Sequence, residues 1–264
     1  MQIKGKKAIL QKVVFELRYN YGFTYLDRCG RTINAIMREQ PEWVLKSDAP
    51  NPQVAGLVSI RNGCSFNFSS FKYDFSLEMP LGAEHPLSDD ELKDFVEQVD
   101  ILSRIVQDHL GLKEFSRIGF RAWYLFGCRD KEEAEKWLCG LPCYSLSPQL
   151  SAAFGGQLES AGIAAVIAGN DRKFRVAFNA IERHAQLDLG EGLLQVRASS
   201  LSKKQNKHLQ KQELVKRRMR SNPEYAALID IDAFQEEPDA VDPRDFIETS
   251  LQQFPAGLTK AVSE

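Results

Sequence analysis

The sequence predicts an α+β protein built on an antiparallel sheet with helices on one face. Three observations lead there. Apolar residues alternate with polar ones along much of the chain, which is the period of half-buried strands. Two amphipathic helical patterns interrupt the first 139 residues, giving a βαββαβ order. After a Pro- and Gly-containing connection at 140–157, residues 158–264 are rich in strand patterns again.

Residues 8–19 form the first strand, in which Val13, Phe15, Leu17 and Tyr19 alternate with Val14, Glu16 and Arg18. Gly22 ends it. Thr24 with Asp27 has capping-box spacing, and Leu26, Cys29, Ile33, Ile36 and Met37 form the apolar stripe of the helix that follows. Pro41 stops that helix, because a proline ring clashes with the preceding turn. Residues 54–60 are a second strand, and Arg61-Asn62-Gly63 reverses the chain, since Asn and Gly tolerate positive φ. One long strand is expected next, carrying Phe66, Phe68, Phe71, Tyr73, Phe75, Leu77 and Met79. Its phase slips at Ser69-Ser70, which predicts a β-bulge or bend. Ser88 and Glu91 box the start of a helix with Leu92, Phe95, Val96, Val99, Leu102, Val106 and Leu110 on its core side and Gly111 after it. Residues 115–127 return as a strand with Ile118, Phe120, Ala122, Tyr124 and Phe126 on one side and Arg121 and Trp123 on the other. The pattern is ferredoxin-like.

Asp130 caps a short helix reaching Leu138. Strands are expected at 161–168 and 172–183, joined by Gly169-Asn170-Asp171. A further strand at 186–198 contains Gly190 and Gly192 as bends, and an apolar strand runs from Ala226 to Phe234. Asp242-Pro243 is an N-cap followed by proline at N1. It opens a last helix with Phe246, Ile247, Leu251 and Phe254 inward, which Pro255 and Gly257 are expected to interrupt.

Composition is that of a globular protein, 43% hydrophobic and 27% charged, with a formal net charge of -2. The whole molecule therefore has no strong pull toward nucleic acid or an anionic membrane; any such pull must be local. No apolar run approaches the roughly 20 residues of a membrane-spanning helix. The basic start, Met1 to Lys7, leads into no apolar signal region, so a cytoplasmic protein with no membrane partner is expected. Cys29, Cys64, Cys128, Cys139 and Cys143 are irregularly spaced, with no C-x-x-C pair, and read as free thiols. No metal and no cofactor is expected.

Several signposts together resemble a sporadically distributed prokaryotic family of uncharacterised proteins of similar length. They are Val13-Val14-Phe15-Glu16-Leu17-Arg18, Arg117-Ile118-Gly119-Phe120-Arg121-Ala122-Trp123-Tyr124, Leu228-Ile229-Asp230-Ile231-Asp232, and a final helix ending in Phe254 before a short tail to Thr259. The resemblance implies no catalytic residues. The patchy occurrence of such a family is similar to that of accessory genes, phage defence among them.

Three places in the chain could carry function. The first is a basic segment, in which Lys203, Lys204, Lys207, Lys211, Lys216, Arg217, Arg218 and Arg220 lie within residues 201–220. Such a run suits a phosphate backbone, although a solvated helix or loop, docked on the acidic stretch that follows, is the commoner use of charge. The second is Asp230 and Asp232, two apart on a strand and so on one face. Paired carboxylates can hold Mg²⁺ or simply line a half-buried strand. The third is Arg117 and Arg121 on one face of another strand, either an anion site or a face on which Arg121 pairs across strands with Glu16 or Asp74.

No nucleophile elbow, P-loop or catalytic triad spacing stands out, and no catalytic residue is assigned. The leading expectation is a non-enzymatic recognition protein that binds a protein partner, in an accessory or defence setting, with self-association also open. The alternatives are a nucleic-acid binder using residues 203–220 and a metal-dependent phosphodiester enzyme at Asp230 and Asp232.

Overall fold

Among the described residues nine strands lie side by side in one antiparallel sheet, and its alternating pattern sorts the side chains onto two unlike faces. The computed structural model describes residues 1–19, 24–46, 53–79, 85–144, 153, 162–183 and 224–262. In chain order the elements are β1 (Gln2–Ile3), β2 (Lys6–Lys7), β3 (Ile9–Arg18), α1 (Thr24–Glu39), β4 (Trp43–Leu45), β5 (Val54–Ser59), β6 (Ser65–Ser69) and β7 (Lys72–Glu78). Then come α2 (Asp89–Leu110), β8 (Arg117–Cys128), α3 (Lys131–Cys139), β9 (Gly162–Ala168), β10 (Lys173–Arg183), β11 (Glu224–Glu236) and α4 (Pro243–Val262). β1 and β2 form a small hairpin of their own. The large sheet runs β4-β5-β6-β7-β3-β8-β11-β10-β9. Strands from both halves of the chain are continuous in it, because β8 pairs with β11 along its full length.

One face is the core. Val13, Phe15 and Leu17 of β3, Phe66 and Phe68 of β6, Tyr73 and Phe75 of β7, Phe120 and Phe126 of β8, and Ile229 and Ile231 of β11 are buried in a single cluster. Side chains from all four described helices join it: Tyr25 and Ile36 of α1, Phe95, Val99 and Val106 of α2, Ala134 and Leu138 of α3, Phe246, Phe254 and Leu258 of α4. The expected mixed α+β fold with an antiparallel sheet is therefore the observed one. α2 begins with the expected box: Ser88 accepts from the Glu91 amide, and the Glu91 carboxylate accepts from the Ser88 amide at 2.8 Å. Gly111 closes it in the left-handed region, with φ 68°. The last two α2 carbonyls, His109 and Leu110, also accept from Arg28. Asp130 caps α3 and Asp242 caps α4 as expected.

Four details differ from the sequence reading. The long strand expected across Ser69-Ser70 is two strands: the chain reverses there, and β6 pairs back on β7 with Phe66 opposite Phe75. The slipped phase marks a hairpin, held by Ser69, whose hydroxyl donates to the Lys72 carbonyl at 3.1 Å and leaves Phe71 exposed at the tip. β4 is a short additional strand, so four strands rather than two separate α1 from α2. β3 is antiparallel to both its neighbours, β7 and β8.

The remaining two concern helices. In the first turn of α1 the buried side chain is Tyr25, not the exposed Leu26. Its hydroxyl donates to the Phe68 carbonyl and accepts from the Ala55 amide, so a polar tip is satisfied in the core. In α4, Pro255 does not end the helix, which continues to Val262. Phe254 and Leu258, buried on either side of the proline, hold it against the sheet, and Phe254 stacks on Phe120 with ring centroids 5.8 Å apart. The expected strand at 186–198 and the basic segment 201–220 lie outside the described residues.

Phe254→Ala should lower unfolding stability by about 3–5 kcal/mol, because it removes the ring that joins α4 to β8. Urea unfolding of the full chain measures this; a loss under about 1 kcal/mol would mean α4 is not part of the cooperative core.

Candidate interaction surface

The residues that alternate with the core point to the opposite face of the sheet, and there the charges of five strands meet. From β7 inward the line is Lys72, Glu16 of β3, Arg117 of β8 and Asp232 of β11. The Lys72 ammonium donates to Glu16 at 2.9 Å and approaches Asp74 at 3.2 Å. Arg117 bridges two strands, reaching Glu16 at 2.6 Å with one nitrogen and Asp232 at 2.7 Å with the other. A second line crosses β8, β11 and β10. Arg121 grips Asp230 with two nitrogens, at 2.6 and 2.5 Å, and Arg175 reaches the same carboxylate at 3.4 Å.

The register shows how this pattern forms. Asp232 stands directly opposite both Arg121 and Arg175, and Asp230 opposite Trp123 and Ala177. The contacts nevertheless run diagonally: Arg121 and Arg175 reach Asp230 two positions along, and Arg117 reaches Glu16 two along and Asp232 four along, as long side chains on a sheet can. Gly119 makes one of these diagonals possible. The Arg117 guanidinium lies across it so closely that a Cβ there would stand 3.3 Å from the Arg117 head group. Two aromatic rings support the cations. Arg117 lies 4.8 Å over Phe234, and Trp123 sits under both Lys12 at 4.7 Å and Arg121 at 5.3 Å.

Burial grades the line from inside to outside. Asp230 is 5% exposed at its side chain, Arg117 18%, Asp232 17% and Glu16 15%, but Arg121 and Arg175 are each 41% exposed. Burial pushes the Asp232 carboxyl above the usual range, against the pull of the Arg117 guanidinium. Burial raises Glu16 as well, but hydrogen bonds from Lys72 and Arg18 outweigh it, and that carboxyl titrates below its ordinary value. Chemically the surface is a set of carboxylates already held by cations. Its outer guanidiniums keep N–H groups for a carbonyl or carboxylate supplied from outside.

Arg117, Arg121, Asp230 and Asp232, which the sequence singled out separately, thus belong to one array. The cross-strand pairing expected for Arg121 exists, but its partner is Asp230; Arg117 takes Glu16. Asp230 and Asp232 share the outer face as expected, while Ile229, Ile231 and Ala233 enter the core. Glu236, near them in sequence, instead pairs with Lys173 at 2.5 Å. Among the described residues no group of three or more His, Cys, Asp or Glu side chains is arranged to hold a metal. Cys139 and Cys143 are exposed and Cys64 is buried, all three as thiols. Lys203, Lys204, Lys207, Lys211, Lys216, Arg217, Arg218 and Arg220 lie outside the described residues. No helix among the described residues is long and apolar enough to cross a membrane. Sequence reasoning missed Arg175, Lys72 and the bracketing of Trp123. Their one signal was phase, since each alternates with core residues on its own strand. No protein family, curated protein or solved structure matches the chain.

Asp230→Ala should cost about 2 kcal/mol. That is below the roughly 3–5 kcal/mol of a fully buried pair, because water takes over two guanidiniums that are 41% exposed. A thermal-unfolding double-mutant cycle with Arg121→Ala checks it, and zero coupling would show the pair to be incidental. The depressed Glu16 carboxyl stabilises the fold above its unfolded value, near 4.5, and that contribution is lost as pH falls through the lower folded value. Glu16→Gln should therefore show a shallower loss of stability below pH 4.5 than the parent; parallel acid limbs would refute this assignment.

Proposed function

We propose that this chain is a non-enzymatic recognition module that binds a protein partner on the outer face of the sheet, across β8, β11 and β10. One observation carries the reading: Arg121 and Arg175, each 41% exposed, are anchored on the buried Asp230 beside the half-buried Trp123. Arg and Trp are the residue types that dominate protein–protein hot spots. A guanidinium already held by a carboxylate loses little conformational freedom when a partner's carbonyl or carboxylate arrives. The half-buried rings of Trp123 and Phe234 add apolar area beneath the cations. The carboxylates that a metal-dependent reaction would use are committed to guanidiniums, which supports recognition over turnover. The resemblance to a sporadic accessory family points to the product of a neighbouring gene as the partner to test first.

With that product purified, Trp123→Ala and Arg175→Glu should each weaken the complex about tenfold or more in calorimetric titration. Lys113→Glu, away from this face, should leave it unchanged. Binding indifferent to both face variants would reject the surface. Divalent-dependent phosphodiester cleavage by the purified chain, or salt-sensitive nucleic-acid binding with no protein complex, would reject the recognition reading itself.

A further inference from the structure

The two edges of the sheet are built differently. β4, at one end, is three residues long. β9, at the other, has seven residues, Gly162-Ile163-Ala164-Ala165-Val166-Ile167-Ala168, all paired inward with β10 without a bulge. It carries no charge and no proline, the devices by which natural edges avoid further pairing. Val166 is 62% and Ile167 54% exposed, and Ala164, Ala165 and Ala168 are exposed as well. Among the described residues nothing pairs with its outer side.

We propose that β9 pairs antiparallel with β9 of a second copy of this chain, about a two-fold axis at Ala165, so that two sheets join edge to edge. The strand is self-complementary about that point. In this register Ile163 meets Ile167 of the other copy, Ala164 meets Val166, and Ala165 meets itself, so small faces large on one side of the sheet and the bulkiest pair meets on the other. The pairing also continues a row that the fold already builds. Tyr124, Ile229, Phe178 and Ile163 stand opposite one another across β8, β11, β10 and β9 on the core face. Ile167 of a second copy would be the next member of that row. An uncharged edge has no electrostatic address with which to choose a different chain, whereas a two-fold lets one strand supply both sides of the contact. A single strand edge is small beside the roughly 1,200–2,000 Å² of a stable interface, so the dimer forms in the micromolar range and dissociates on dilution.

Sedimentation velocity of the full chain from low to high micromolar concentration tests this. The parent should pass from monomer to dimer. Ala165→Lys and Ala165→Glu each place like charges face to face at the axis and should weaken self-association on the order of tenfold or more. Mixing the two variants should restore a heterodimer, which separates this register from a general loss of folding; far-UV circular dichroism confirms the folded state. Should either variant fail to fold, Val166→Lys, at a 62% exposed position, takes its place and should likewise weaken the dimer. A parent that stays monomeric throughout, a dimer unweakened by these changes, or charged variants that do not complement each other on mixing would each overturn the proposal.

Discussion

Burial of Phe15, Phe75, Phe120 and Ile229 on one face of the sheet forces their neighbours Glu16, Asp74, Arg121 and Asp230 onto the other. Successive side chains in a strand leave on opposite sides, and the described helices from both halves of the chain pack on the first side. Every later feature follows from that division. The core side can be read as one aromatic and aliphatic cluster. The outer side must handle charge on strands that stand only about 4.7–4.9 Å apart, close enough that a carboxylate without a cation beside it would be costly.

The solution on the outer side is geometric as well as electrostatic. Like charges stand directly opposite one another in places, Glu16 against Asp74 and Arg18 against Arg117. The first pair is relieved by Lys72, which contacts both acids. Diagonal reach then lets Arg117 join Glu16 to Asp232 across β8, over the one residue, Gly119, that presents no side chain in its path. The apolar ledges of Phe234 and Trp123 fix where the guanidinium planes lie. Such an array is polar, with its outer guanidiniums part-exposed, and it is the surface proposed above to receive a partner. A catalytic carboxylate needs freedom to exchange a proton or ligate a metal, and Asp230 has both oxygens occupied by Arg121.

The acidic stretch near the C-terminus also loses its appearance of a block once folded. Asp230 and Asp232 serve the outer face, Glu236 pairs with Lys173, Asp242 caps α4, and Arg244 at the start of that helix reaches Asp100 of α2. A run of like charges in sequence became a series of separate structural contacts because strand, turn and helix start send consecutive side chains in different directions.

Local periodicity determined most of the elements: the boxed α2, the capped α3 and α4, the alternating strands β3, β8, β10 and β11, and which residues of each faced the core. These are properties of a few adjacent residues, so they are written where they act. Tertiary structure alone decided which strands became neighbours. The slip at Ser69-Ser70 was visible, but a bend and a hairpin leave the same mark in a phase pattern, and only pairing of Phe66 with Phe75 distinguishes them. Pro255 read as a helix end because its local cost was visible and the burial of Phe254 and Leu258 was not. Arg121 and Asp230 were each noticed, yet they are 109 residues apart. Pairing at that distance depends on strand order, which comes from burying the whole core at once and from no short stretch of the chain.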